Sequence, residues 1–107
     1  MNPTSTSLYG SWKLLHFVYR WPDGRESAPL GQARGWLHYL PAPEARMSVQ
    51  VVAETRPPLD PDSDACLAAL FRSGFSYTGC WRLEGSVVHH GVDIATLPVW
   101  ELSLIHI

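Results

Sequence analysis

The chain has 107 residues, of which 46% are apolar and 17% charged, with eight Lys and Arg set against ten Asp and Glu. One core fits in that length but not a separate catalytic domain, and the composition excludes a disordered chain. The near balance of charge leaves no electrostatic footprint for nucleic acid or an anionic membrane surface.

Residues 1–8 carry neither a basic cluster nor an apolar core, so they are not a secretory signal and are expected to form a flexible tail. No run of about 18 apolar residues occurs, which excludes a spanning helix. From Gly10 to Trp21 the chain has no Pro and no internal Gly and is rich in aromatic and branched residues, which predicts one long strand. Apolar groups fall on both of its faces. Trp21-Pro22-Asp23-Gly24-Arg25 is a tight reversal, because Pro presets the turn and Asp-Gly accepts positive φ. A short strand returns from Arg25 to Leu30, Gly31–Gly35 reads as a linker, and Trp36–Leu40 and Arg46–Ala53 form the next two strands. In the latter, Met47, Val49 and Val51 alternate with Ser48, Gln50 and Val52.

Between Glu54 and Asp64 the chain is Pro-rich and acidic, and then the period changes. Asp60 before Pro61 looks like a helix N-cap, Leu67, Leu70 and Phe71 recur at helical spacing, and Gly74 is a stop. Phe75–Glu84 is the longest later strand, Glu84-Gly85 turns it, and Ser86–Ala95 returns. On the return, Val87, His89, Gly91 and Asp93 share one face, and Val88, His90, Val92 and Ile94 share the other. Alternation by itself leaves both registers open. Leu97-Pro98-Val99-Trp100 is a break before what looks like another strand.

These pieces resemble the lipocalin-like domain family of small intracellular bacterial and fungal proteins. The resemblance rests on Gly10-x-Trp12 with Leu14, Gly35-x-Leu37-x-Tyr39, Arg46-Met47-Ser48-Val49-Gln50 and Arg56-Pro57-Pro58 in the first half. In the second it rests on Tyr77-x-Gly79-x-Trp81, Val87-x-His89-His90 and Pro98-x-Trp100, with Trp81 where the family more often has Tyr. It implies an all-β fold, an antiparallel up-and-down lipocalin-like β-barrel over residues 9–101 with one short helix between strands and Trp12 plugging one end. After Trp100 the family's further strands are missing, so the barrel is expected to be incomplete, with about six to seven strands. Leu102–Ile107 reads instead as the translation of a transposase end sequence used as a library adapter, a non-native tail on a truncated chain. The resemblance further implies a cytoplasmic protein.

The chemistry-bearing residues make few patterns. Cys66 and Cys80 are expected to be reduced and buried, with no disulfide. No His pair has metal-site spacing with a third ligand, no G-x-S-x-G is present, and there is no Gly-rich phosphate loop. No metal and no cofactor is therefore expected. Matching alternation to the family's regular positions turns Trp12, Leu14, Met47, Val49, Tyr77, Gly79 and His89 inward as the ligand-binding set, with Gly79 leaving space opposite large residues. A one-residue slip would put Val88, His90, Val92 and Ile94 inside instead. Asp93 lies on the face of His89, about 13 Å along the strand.

The expected function is binding of a small apolar or amphipathic molecule. A cofactor-free isomerase or cyclase is the alternative, with His89 as its candidate catalytic group, and a solid-core structural or partner-binding domain is the third reading. Binding is expected ahead of catalysis, with self-association through unpaired edge strands as a further property.

Overall fold

A computed structural model describes residues 5–98, 101 and 104–106. Among the described residues eight strands form in the order β1 (Gly10–Lys13), β2 (Tyr19–Arg20), β3 (Glu26–Ser27), β4 (Ala33–Tyr39), β5 (Arg46–Ala53), β6 (Gly74–Glu84), β7 (Val87–Ala95) and β8 (Leu104–His106), with helix α1 (Asp64–Arg72) between β5 and β6. Six of them make one antiparallel sheet in the order β1-β4-β5-β6-β7-β8, and β2 and β3 pair as a separate ribbon. Each strand of the main sheet lies beside its successor once the β2–β3 excursion is set aside, which is up-and-down topology. Among the described residues β1 and β8 do not pair, so the sheet is unclosed.

Strand register sorts the side chains. Trp12, Leu37, Val49 and Tyr77 lie in one row across four strands, and Tyr39, Met47, Gly79 and Val92 in the next. Cross-strand partners share a face, so these rows define the inner face. Its core is Tyr39, Met47, Val49, Val51, Tyr77, Trp81, Val88 and Val92, all buried. Strand β5 shows the cause most simply: Met47, Val49, Val51 and Ala53 are buried while their alternates are not, as a half-buried strand requires.

The long first strand does not form. Pairing stops at Lys13, and Leu14 and Phe17, three residues apart, both turn onto the core, with Phe17 against Phe75 at a ring separation of 5.1 Å. A strand with apolar groups on both faces can bury only one set against a single core; leaving the pleat lets both reach it. The Asp-Gly reversal is as expected: Gly24 has φ +91° and Tyr19 pairs with Ser27, but the result is the free-standing ribbon. Residues 33–35, expected in a linker, open β4. The β6–β7 turn is Gly85-Ser86, since Glu84 pairs with Val87.

The helix starts three residues later than the Asp60 cap would place it. Asp60 Oδ1 instead accepts the Asp62 N–H at 3.1 Å, and Ser63 is the N-cap, its Oγ accepting the Cys66 N–H at 3.1 Å. Gly74 opens β6, and the cap at the helix end is Ser73. No residue of α1 is fully buried, so its cap matters more than its packing. Ser63→Ala should therefore cost the helix about 1 kcal/mol. Amide exchange at Cys66 and its neighbours should accelerate about fivefold, with little change in the global urea midpoint; unchanged exchange would remove Ser63 as the cap.

At the chain ends, Leu8 packs against the core rather than lying loose, and Leu104–His106 pairs with β7. Such pairing needs only extended backbone beside an open edge and is indifferent to side chains. The first four residues of the expected tail, and Val99, Trp100, Leu102, Ser103 and Ile107, lie outside the described residues. Neither cysteine is fully buried: Cys66 is half-buried and donates to the Pro58 carbonyl at 3.1 Å, and Cys80 is exposed.

Candidate functional site

The polar centre of the inner face is a hydrogen-bonded row of three side chains from three strands. His90, on β7, is 0% exposed. Tyr39 Oη lies 2.7 Å from its Nε2 and Tyr77 Oη 2.8 Å from its Nδ1. A neutral imidazole has one N–H and one lone pair, so one tyrosine accepts from the ring and the other donates to it. Burial pushes the Tyr39 hydroxyl up to about 12, raises Tyr77 further with help from the neighbouring Tyr39, and pulls His90 down to about 4. All three are thus neutral at pH 7. Creating a charge on any of them costs its desolvation, so the row serves as a satisfied hydrogen-bond network rather than a poised acid–base pair.

This corrects the inward assignment of His89. His89 lies opposite Arg82 on the outer face, and its Nε2 lies 3.2 Å from the Glu84 carboxylate. The slipped register is the one adopted by Val88, His90 and Val92, all buried. Ile94 breaks from it and is 64% exposed. The cause is a bulge: Thr78 faces Ile94 while Gly79 faces Val92, so Asp93 is an extra residue that exchanges the faces beyond it. Asp93 consequently shares no inner face with a histidine. It meets Arg46 in a bidentate pair, at 2.7 and 3.1 Å, and the guanidinium holds its carboxyl below the usual range. Both groups are well exposed, so the pair is screened by solvent.

Among the other expected site residues, Met47, Val49, Tyr77 and Gly79 do face inward and are buried. Leu14 is half-buried and packs on the core. Trp12 takes the inner face in register with Leu37 but remains 46% exposed at the sheet edge, its indole donating to the Leu8 carbonyl at 2.9 Å. Among the described residues the buried indole is Trp81, whose Nε1 donates to the Leu40 carbonyl at 2.9 Å and whose ring lies 4.9 Å from that of Tyr39. Gly79 opens no space: a Cβ there would stand 1.8 Å from the Gly91 carbonyl oxygen. Two residues that the family-matched set omits, Tyr39 and His90, hold the centre. For His90 one signal was present: Val88-x-His90-x-Val92 is the more apolar of the two alternating sets on β7, its rival carrying Gly91 and Asp93.

Space for a molecule lies elsewhere. An open cleft of about 1000 Å³ crosses the end of the sheet where β1 stops and β4 and β6 begin. Leu14, Leu15, Trp36, Phe71 and Phe75 give it apolar walls. Three of these, Leu15, Trp36 and Phe71, are large apolar side chains left exposed. Lys13, Arg34, Glu54 and Arg56 supply its charges. A smaller apolar pocket of about 190 Å³ adjoins it through Phe71, Gly74 and Phe75. Of the expected ligand residues Leu14 lines the large cleft, and Val49 and Tyr77 border a shallow hollow of about 310 Å³ beside Ile94; none of the three spaces reaches Trp12, Met47, Gly79 or His89.

Among the described residues no three His, Cys, Asp or Glu side chains gather in a way that could hold a metal ion. No helix among them is long and apolar enough to cross a membrane. No curated protein and no solved structure matches the chain. A family model does: the lipocalin-like domain matches residues 9–104. That span takes in every strand of the unclosed meander up to the first residue of β8, so the chain belongs to the lipocalin-like domain family.

Proposed function

We propose that this protein binds a small apolar or amphipathic molecule, and that the molecule occupies the cleft at the β1–β4–β6 end of the sheet. One observation carries the reading: a cleft of about 1000 Å³ holds Leu15, Trp36 and Phe71 exposed beside charged groups. Leaving such side chains in water forfeits roughly 25 cal/mol for every Å² of apolar surface that a ligand would cover. Concave apolar walls with a few polar groups are the usual form of a small-molecule site. Family membership points the same way, since it suggests a ligand held by a β-barrel. Of the expected ligand residues, Leu14 is the one that lines this cleft.

Binding is read with the neutral dye Nile red. Its fluorescence should rise on mixing with the chain, and Trp36→Ala and Phe71→Ser should each weaken the complex about fivefold, the loss of one well-covered apolar side chain. Both residues are exposed, so both variants should fold. No response in the parent protein, or unchanged affinity in both variants, would overturn the assignment of the cleft.

A further inference from the structure

The chain is acidic overall, with a net charge of −2, yet its unneutralised cations are gathered in one place. Of the eight Lys and Arg side chains, Arg20, Arg25, Arg46 and Arg82 are ion-paired with Glu26, Asp23, Asp93 and Glu84. The other four are Lys13, Arg34, Arg56 and Arg72. The first three line the large cleft and the fourth lines the pocket beside it. Among the described residues none of the four meets a carboxylate within ion-pair distance. Arg56 is held instead by neutral groups, its Nε donating to Ser73 Oγ at 2.8 Å and its Nη2 to the Leu70 carbonyl at 3.4 Å.

Six carboxylates are also outside those ion pairs, and only Glu54 lines the cleft. The cleft and its annex therefore hold four positive groups against one negative group. Two of the cations are set close together by the sheet. Lys13 pairs with Trp36 and Arg34 with Val52, so Lys13 and Arg34 are diagonal neighbours on the outer face, with the exposed indole directly beside Lys13. Like charges so placed repel, and a surface whose other cations are paired keeps these where an anion would relieve the repulsion.

We infer that the ligand of the cleft is a soluble amphiphile with a carboxylate head, its apolar body against Trp36, Phe71 and Leu15 and its carboxylate at Lys13, Arg34 and Arg56. This rests on the cleft being the binding site proposed above. Two guanidinium forks favour a planar carboxylate, which each can meet with two parallel hydrogen bonds. A concave site of this volume suits a single molecule better than a membrane surface, and three or four cations on an acidic chain are a weak basis for membrane attachment.

The test uses the whole chain, titrated calorimetrically with decanoate and with decanol, both below their aggregation limits. Decanoate should bind about tenfold or more tightly than decanol, an advantage that shrinks as salt rises and disappears in the Arg34→Gln/Arg56→Gln double variant. Arg34→Lys, which keeps the charge but loses the fork, should lose only part of it, and Arg20→Gln should lose none. Equal affinity for the two probes would overturn recognition of the anion while leaving the cleft as an apolar site. Failure of both probes would overturn the inference together with the function proposed above. Sedimentation with phosphatidylglycerol vesicles, in the absence of decanoate binding, would overturn it in favour of a membrane surface.

Discussion

Replacing His90 by Leu should destabilise the protein by about 3 to 5 kcal/mol in urea unfolding at pH 7, because two buried tyrosine hydroxyls then lose their partner at about 1 to 3 kcal/mol each. That is a large fraction of the total stability of a domain this size. Leu is close to His in volume, so the cavity contribution is small and the loss reports the hydrogen bonds. Removing all three polar groups together, in Tyr39→Phe/His90→Leu/Tyr77→Phe, should be less damaging than His90→Leu alone, since no buried group is then left unsatisfied. A single-variant loss below about 1 kcal/mol would show that the hydroxyls find other partners.

The same histidine sets a pH dependence. Its pKa is pulled from 6.5 down to about 4 in the folded chain, whereas the unfolded chain keeps the ordinary value. Between those two values the unfolded state binds more protons, so stability rises with pH across that window and falls as the solution is acidified from about pH 6.5 to about pH 4. The His90 part of the fall should amount to about 3 kcal/mol and be complete below about pH 4, where both states carry its proton. His90→Leu should flatten that part of the profile. A wild-type profile as flat as the variant's would mean that His90 is reached by water.

Gly79→Ala should cost more than about 3 kcal/mol and lower the melting temperature by at least about 12 °C, or prevent folding. The added methyl would meet the Gly91 carbonyl oxygen at 1.8 Å and its carbonyl carbon at 2.8 Å. Both are main-chain atoms of the paired strand, so relief requires β6 and β7 to separate at the bulge. Gly91→Ala is the control on the same ladder: its Cβ would find only the Cys80 carbonyl oxygen at 3.8 Å, an ordinary contact. It should cost no more than about 1 kcal/mol. If Gly79 instead left room for a ligand, alanine would be accepted at both positions with similar ease.

Family and strand content were legible in the residues because both are local. Arg46–Ala53 alternates apolar and polar groups and became β5 with unchanged bounds, and the family that the short fragments resemble is the one whose model matches residues 9–104. The Asp-Gly turn at 23–24 and the helix around Leu67–Phe71 are likewise short-range signals, although the cap is Ser63, with Asp60 instead accepting the Asp62 N–H in the turn before it. The long strand from Gly10 failed for the opposite reason. Its two apolar faces are locally compatible with a strand, and only the presence of a single core makes them incompatible with one.

The candidate site depended on contacts between residues far apart in the chain. Alternation says that His89 and His90 point in opposite directions but not which direction is inward; that was decided when Trp81 and Tyr77 of β6 and Tyr39 of β4 enclosed His90 and satisfied both of its nitrogens. A one-residue bulge then turned Ile94 outward and sent Asp93 to Arg46, a change of face that no periodic reading of β7 contains. Gly79 shows the limit most directly. In sequence, a missing side chain is equally consistent with room for a ligand and with a neighbouring backbone pressed close, and the choice lies with the Gly91 carbonyl, which only the pairing of β6 with β7 brings there.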